Sequence, residues 1–221
     1  PKATLHLFRW WVQRDLLQDC GEALRDQALF VSGLLSVKMY GAPVKPPQPS
    51  FGLSAAFGSS TDWQTSTGED RYRRALYTTW RRSNPYPSMA TFDAPNREVC
   101  TVRRERSNTP LQALVTLNDP QFVEAARNLA EHALHSGKDL DTQIDYMTSR
   151  LLARRFKPKE KEIAVRSCRD FLNYYESNKA DAASLLAIGE SKADPGLPVA
   201  QFEALTVVAN QLLNLDEVLN K

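Results

Sequence analysis

The segment that decides the fold runs from Arg71 to Asn128 and reads RYRRALYTTWRRSNPYPSMATFDAPNREVCTVRRERSNTPLQALVTLNDPQFVEAARN. Half of all the arginines in the chain lie between Arg71 and Arg106, and this interval contains no lysine. Guanidinium is a planar, permanently charged fork that can bind a carboxylate or phosphate through two hydrogen bonds at once, which an ammonium group cannot do. The segment is therefore predicted to hold polar contacts in a fixed geometry rather than to serve solubility.

Two roles are open for these arginines. In the first, several guanidinium groups converge in a cleft and bind an anionic group such as a sulfate, a phosphate or a haem propionate. In the second, which we favour, they hydrogen-bond the carbonyl groups of a loop and pair with carboxylates, because buried carbonyl groups need partners. The candidate residues are Arg73, Arg74, Arg81, Arg82, Arg97, Arg103, Arg104 and Arg106, with Asp93, Glu98, Glu105 and Asp119 as possible acidic partners.

A short antiparallel β pair and a braced loop are predicted among these arginines. Ala75 to Trp80 (ALYTTW) and Val99 to Arg103 (VCTVR) have the β-branched and aromatic content of strands. Residues 84–96 lie between them and read NPYPSMATFDAPN. Three prolines in this interval indicate a shaped loop, because proline lacks a backbone N–H and restricts the residue before it.

Two helix starts follow the loop. Asn108-Thr109-Pro110 and Asn118-Asp119-Pro120 each place a capping side chain directly before a proline. Proline is well tolerated at the first position of a helix, where its missing N–H would have had no helical partner. The sequence therefore predicts two helices that meet at a corner near Asp119.

Outside this segment the apolar pattern is mostly helical. Before it, residues spaced by three or four form one stripe, which ends before Gly41 and a proline-rich stretch at 42–49; a long loop follows at 50–68. The stripe consists of Leu17, Cys20, Leu24, Ala28, Val31 and Leu35.

After the segment, helices are predicted over 139–156, 158–177, 180–188 and 199–213. The predicted fold class is mainly α, with an atypical segment at 1–16 and a single helical domain at 17–221 whose core signature is 69–130.

Composition and motifs exclude several classes of function. At 221 residues and 42% apolar content the chain can bury a core, and its net charge of +2 does not indicate a nucleic-acid partner. Its apolar runs are far shorter than the roughly 20 residues of a transmembrane helix. No Ser-His-Asp order, nucleotide-binding glycine loop or zinc-protease motif is present, and no catalytic residue is predicted. His132 and His135 lack a third ligand nearby, so no metal site is predicted.

The run from Tyr72 to Ala130, which begins YRRALYTTWRR and ends QFVEAARNLA, resembles the signature of the planctomycete secreted domain family, a domain of unknown function. Weaker similarity begins near Glu22, in EALRDQALFVSGLL, and continues to the final LLNLDEVLNK. The resemblance implies an exported protein of the periplasm, cell surface or medium. It also implies association with a c-type cytochrome domain. Because this sequence has no haem-attachment motif, the resemblance implies that any haem belongs to a partner chain or to a part of the polypeptide outside this sequence.

Two hypotheses of function follow. The first is a non-catalytic structural and interaction module of an exported, cytochrome-associated bacterial assembly, with other protein subunits as partners and no cofactor in this chain. The alternative is an enzyme or binding protein for an anionic polymer such as a sulfated polysaccharide, with Asp93 or Glu98 in acid-base roles. The first predicts arginines that contact protein groups, and the second predicts guanidinium groups that face solvent around a carboxylate.

Overall fold

The computed structural model describes residues 21–48, 63–81, 85–95, 100, 107 and 109–219, so the atypical segment at 1–16 lies outside the described residues. The described part is mainly helical, as the sequence predicts. Two 3-10 helices, Gly68–Tyr72 and Ala75–Tyr77, lie between the first and second α-helices. The α-helices are α1 (Gly21–Val31), α2 (Pro87–Thr91), α3 (Pro110–Asn118), α4 (Pro120–Ser136), α5 (Leu140–Leu151), α6 (Pro158–Ser177), α7 (Lys179–Leu186), α8 (Val199–Leu213) and α9 (Asp216–Leu219).

The main apolar core is built around α8, which packs most extensively against α4 and α6. α8 contributes Phe202, Leu205 and Val208, and α5 adds Ile144 and Met147. The side of α4 that meets this core is rich in alanine, which lets neighbouring helices approach closely. The core therefore follows from the helical spacing of apolar residues in the second half of the chain.

The predicted helix corner is present between α3 and α4. Thr109 accepts a hydrogen bond from the Gln112 backbone N–H, and the Gln112 side chain accepts one from the Thr109 backbone N–H, which is a capping box. Asp119 ends α3 and caps α4 by accepting from the Gln121 backbone N–H at 2.9 Å. Each cap satisfies a backbone donor that the first turn of a helix leaves without a helical partner.

The strand predicted for Ala75 to Trp80 is wrong over its first half. Ala75–Tyr77 forms a 3-10 helix, and Thr78 makes one isolated parallel bridge with Val44. No sheet occurs in the described ranges, and the predicted partner strand at 99–103 lies outside them apart from Cys100. The reason for the error is tertiary: the Ala75 backbone N–H is bound by the buried Asp26 carboxylate at 2.7 Å, so it has no strand partner.

The loop predicted at 84–96 contains a short helix, α2, over Pro87–Thr91. Pro87 stands at the first turn of this helix, where proline is compatible with helical geometry. Likewise, α1 ends at Val31, four residues before the end of the predicted stripe. Gly33 takes a φ of +79°, and the Leu34 and Leu35 N–H groups both turn back to the Leu29 carbonyl. This local turn ends the helix although the apolar spacing continues.

Among the described helices, none is both long enough and apolar enough to cross a lipid bilayer.

Ile144 and Ile163 offer a matched test of the core. Ile144 is fully buried on α5, whereas Ile163 is 59% exposed on α6. Ile144→Ala should lower the free energy of unfolding by about 2 to 5 kcal/mol, because it removes buried methyl groups and leaves a cavity. Ile163→Ala should change it by less than about 0.5 kcal/mol. Urea unfolding of both variants measures the difference, and equal losses would contradict this description of the core.

Candidate functional site

The site is a buried polar cluster where α1 and the start of α4 meet the two 3-10 helices. Arg25 stands at its centre on α1 and is almost completely buried. Its Nε donates to the Gln121 Oε1 at 2.5 Å, and its two Nη groups donate to the carbonyls of Arg73 at 2.6 Å and Arg71 at 2.9 Å. Burial lowers the pKa of the Arg25 guanidinium, because the charged form loses hydration. One guanidinium thus joins α1, α4 and the turn between the 3-10 helices.

Arg73 is the second buried arginine of the cluster, and it binds the chain at residues 40–42. Its Nη1 donates to the Ala42 carbonyl at 3.0 Å, and its Nη2 donates to the Tyr40 carbonyl. The guanidinium carbon lies 3.9 Å from the centre of the Tyr77 ring, in a cation–π arrangement. Arg73 therefore fastens the chain after α1 to the second 3-10 helix.

Asp26 is the carboxylate that holds the start of this 3-10 helix. It accepts from the Ala75 backbone N–H at 2.7 Å and from the Arg74 Nε at 3.4 Å, and its Oδ1 lies 3.7 Å from an Nη of Arg25. Burial raises the pKa of Asp26, although the hydrogen bond from Ala75 and the charges of Arg25 and Arg74 oppose the rise. The two arginines thus lower the cost of keeping a charged carboxylate in the interior.

Glu124 on α4 is the most highly coordinated carboxylate of the cluster. It accepts from the Tyr72 hydroxyl at 2.7 Å, from the backbone N–H groups of Glu190 and Ser191 at 2.8 Å each, and from the Ser191 hydroxyl at 2.9 Å. Arg71 adds an ion pair at 3.4 Å. Burial by itself raises the pKa of Glu124, but the hydrogen bonds from Ser191 and Tyr72 and the Arg71 charge outweigh it, and the pKa is lowered.

Arg127, one turn after Glu124, is the third buried fork. Its Nη1 donates to the carbonyls of Leu186 at 2.6 Å and Ile188 at 2.8 Å, and its Nη2 donates to the carbonyl and hydroxyl of Ser191. Residues 186–191 begin at the last residue of α7 and form what we call the segment after α7. A guanidinium binds its carbonyls, and the Glu124 carboxylate binds its N–H groups.

Asp119 belongs to a second polar group next to Arg25. It accepts a hydrogen bond from Ser88, while the Tyr86 hydroxyl donates to the Pro47 carbonyl at 2.6 Å and contacts the Gln121 amide. Burial raises the pKa of both Asp119 and Tyr86. A small cavity lies between these groups and Arg25, with room for little more than a water-sized molecule. Such a cavity does not accommodate a sugar or a nucleotide.

The structure brings some of the predicted site residues together. Arg73 and Arg74 lie in the cluster, Asp119 lies in the adjoining polar group, and Arg81 is exposed. Asp93 does not join them: it accepts from the backbone N–H and hydroxyl of Ser107 at 2.8 and 2.7 Å and lies 3.5 Å from the Gln112 amide. The predictions for Arg82, Arg97, Glu98, Arg103, Arg104, Glu105 and Arg106 fall on residues outside the described ranges.

Sequence reasoning missed Arg25, Glu124 and Arg127, which carry much of the cluster. Each lies on a helix and is buried next to an apolar residue that is buried too. These apolar neighbours are Leu24, Val123 and Ala126. A charged residue on the apolar side of a helix is a usable signal, because such a residue is rarely buried without a partner. The spacing of the apolar residues alone does not reveal it.

Most charged side chains of the described cluster bind backbone groups. Its carboxylates and guanidinium groups contact one another, backbone groups, hydroxyls and an amide, and no group of three potential metal ligands occurs among the described residues. Glu124 is enclosed by Tyr72, Ser191 and Glu190.

Comparison with known proteins identifies a family for most of the chain. The model of the family described as "PSD1: Protein of unknown function (DUF1553)" matches residues 8–168, which include the arginine-rich segment and α1 to α5. No curated protein and no solved structure matches the chain.

Gly189 is predicted to be irreplaceable. Its φ is +99°, and a Cβ at this position would overlap the Glu124 carboxyl carbon. Gly189→Ala therefore combines backbone strain with a clash against a fixed carboxylate. Gly68, at φ +60° and with nothing within 4 Å of an added Cβ, is the matched control for strain alone. By thermal unfolding, Gly189→Ala should cost clearly more than the roughly 1 to 2 kcal/mol expected of Gly68→Ala. Equal costs would contradict the close approach of Glu124.

Glu124 should make stability depend on pH in the acid range. A carboxylate whose pKa is lowered by folding contributes stability above its ordinary value of 4.5, and this contribution is lost as pH falls through the lowered value. Glu124→Gln should reduce stability at neutral pH and flatten the loss on acidification. Urea unfolding along a pH series measures both effects. The exposed Glu162→Gln should keep the wild-type profile, and an unchanged slope in Glu124→Gln would contradict the assignment.

Proposed function

The chain belongs to the PSD1 family of proteins of unknown function (DUF1553), and we propose that it is a non-catalytic structural and interaction module of an exported, cytochrome-associated bacterial protein assembly. The observation that supports the proposal best is the use of three buried guanidinium groups, those of Arg25, Arg73 and Arg127, on backbone carbonyls. The proposed setting is the periplasm, the cell surface or the medium, and it is supported by the resemblance of residues 72–130 to exported proteins.

The contacts of these guanidinium groups with carbonyls argue for a structural role, because a guanidinium has a limited number of donors. An anion-binding arginine keeps its planar fork open to the ligand. The Nη groups of Arg25 and Arg73 instead point at carbonyls of irregular backbone. A hydrogen bond from a charged group contributes about 1.5 to 3 kcal/mol, so these contacts together are comparable with the net stability of a domain.

The contacts of Arg73 also fix the chain around an exposed apolar surface that suits a protein partner. Val37, Met39, Tyr40 and Leu76 are each more than half exposed, and we name them the apolar loop surface. Tyr40 has a φ of 63°, and both of its backbone polar groups are bound: its N–H by the Tyr77 hydroxyl at 2.9 Å and its carbonyl by Arg73. A surface fixed before binding loses less conformational entropy when a partner covers it. The proposed partner is a c-type cytochrome domain, which supplies the haem that this chain lacks a motif to attach.

Arg73→Lys separates the structural role from anion binding. Lysine keeps the charge but cannot bind two carbonyls with a planar fork, so the variant should lose about 2 to 4 kcal/mol of stability. Arg169→Lys on α6 is the matched control, because Arg169 is exposed, and it should stay within about 0.5 kcal/mol of wild type. Thermal unfolding gives the stabilities, and titration with a sulfated oligosaccharide gives anion affinity. Unchanged stability with weakened oligosaccharide binding would support the polysaccharide hypothesis instead.

The proposed association is tested on the native particle. Mass spectrometry and the visible absorption spectrum should show a haem-carrying cytochrome in stoichiometric amount with this chain. Val37→Asp combined with Leu76→Asp should release it, because charge on a covered apolar surface must be desolvated. Ile163→Asp, on the exposed side of α6, should retain it. A colourless polypeptide without a partner would contradict the cytochrome association.

A further inference from the structure

Glu203 is a buried carboxyl group without a hydrogen-bond partner among the described residues. It lies on the central helix α8 with no exposed surface, and neither of its oxygens accepts a hydrogen bond from the described part of the chain. Burial raises the pKa of Glu203 to about 8, although the charge of Arg127 opposes the rise. The group is therefore held as a neutral acid at moderate pH, because a buried and uncompensated carboxylate is unfavourable.

The groups that face Glu203 come from two helices. From α4 the Arg127 charge opposes the rise in the pKa of Glu203. From α6 the Tyr175 phenol lies close enough to Glu203 that burial and then the Glu203 charge raise the pKa of Tyr175. In the described part of α5, α7 and α9, no charged group has such an effect on Glu203. The Nε of Arg127 is itself buried and has no hydrogen-bond partner among the described residues. Arg127 is therefore the cation that an ionised Glu203 can recruit.

A two-point contact between the Arg127 guanidinium and an ionised Glu203 uses its Nε and one Nη, and therefore removes that Nη from the segment after α7. Its Nη groups now hold the carbonyls of Leu186, Ile188 and Ser191. A carboxylate is a stronger acceptor than a neutral carbonyl, and an ionised Glu203 left alone in the interior would be strongly destabilising. We infer that Glu203 and Arg127 form a pH-responsive switch, in which ionisation of Glu203 draws Arg127 onto α8 and releases residues 186–191.

The switch connects to the rest of the cluster through the same segment. The Glu190 and Ser191 N–H groups donate to Glu124, and the Glu190 side chain accepts from the Gly68 backbone N–H at 2.9 Å. Release of residues 186–191 therefore loosens the contact between this segment and the first 3-10 helix. This regulation goes beyond the proposed function and does not depend on the identity of a partner.

Hydrogen exchange of the Glu190 and Ser191 amides tests the switch. Protection factors are taken relative to intrinsic rates, which removes the direct effect of hydroxide on exchange. Glu203 is neutral while residues 186–191 are held, and it is ionised once they are released. The protection of the Glu190 and Ser191 amides should therefore fall up to about tenfold per pH unit above the ordinary pKa of glutamate. The fall should level off above about pH 8. In Glu203→Gln, which imitates the neutral acid, protection should not vary with pH.

Glu162→Gln, an exposed change on α6, is the matched control and should keep the wild-type dependence. Protection that is flat with pH in the wild-type chain would overturn the inference, whether or not Glu203→Gln folds. So would an unchanged slope in Glu203→Gln, or protection equal to that of core amides of α5 at every pH, which indicates exchange only by global unfolding. A carboxyl ¹³C titration of Glu203 with its midpoint near 4.5 instead of about 8 would overturn it independently.

Discussion

The contact between a buried guanidinium and backbone carbonyls is the interaction on which this structure depends. Much of the described chain between α1 and α3 is irregular, and irregular backbone leaves carbonyls without ladder or helix partners. Bulk water does not reach such groups in the interior, so side-chain donors or ordered water must satisfy them. Arg25 supplies them to the turn between the 3-10 helices, and Arg73 supplies them to the chain after α1. Lysine, with its single charged nitrogen, does not reproduce this geometry.

The helical core and the polar cluster stabilise each other through α4. One side of this helix packs against α8 in the apolar core, and the same helix carries Glu124 and Arg127 into the polar cluster. Buried charges carry a large desolvation cost, which is offset here by several hydrogen bonds to each carboxylate and guanidinium. The cost also makes the cluster sensitive to single losses, because one removed partner leaves its counterpart buried and unpaired.

Local signals predict the helices well, and long-range contacts account for the errors. The starts at Pro110 and Pro120 are predictable because capping side chains and proline act within one turn. The conformation at Ala75 is not, because a carboxylate nearly fifty positions earlier, Asp26, determines that backbone. The same applies to the site: Arg73 stands out within an arginine-rich segment, whereas Arg25 acts alone from a helix whose partners lie 46 to 96 positions away.

The most direct test of this account is NMR observation of the guanidinium groups themselves, by ¹⁵N–¹³Cζ detection in the presence and absence of a sulfated oligosaccharide. If Arg25, Arg73 and Arg127 are held by backbone carbonyls, their Nη protons exchange slowly and their resonances do not move when the oligosaccharide is added. Fast exchange of these protons, together with shifts on addition of the oligosaccharide, would show that the arginines face a ligand, and would contradict the structural role proposed for them.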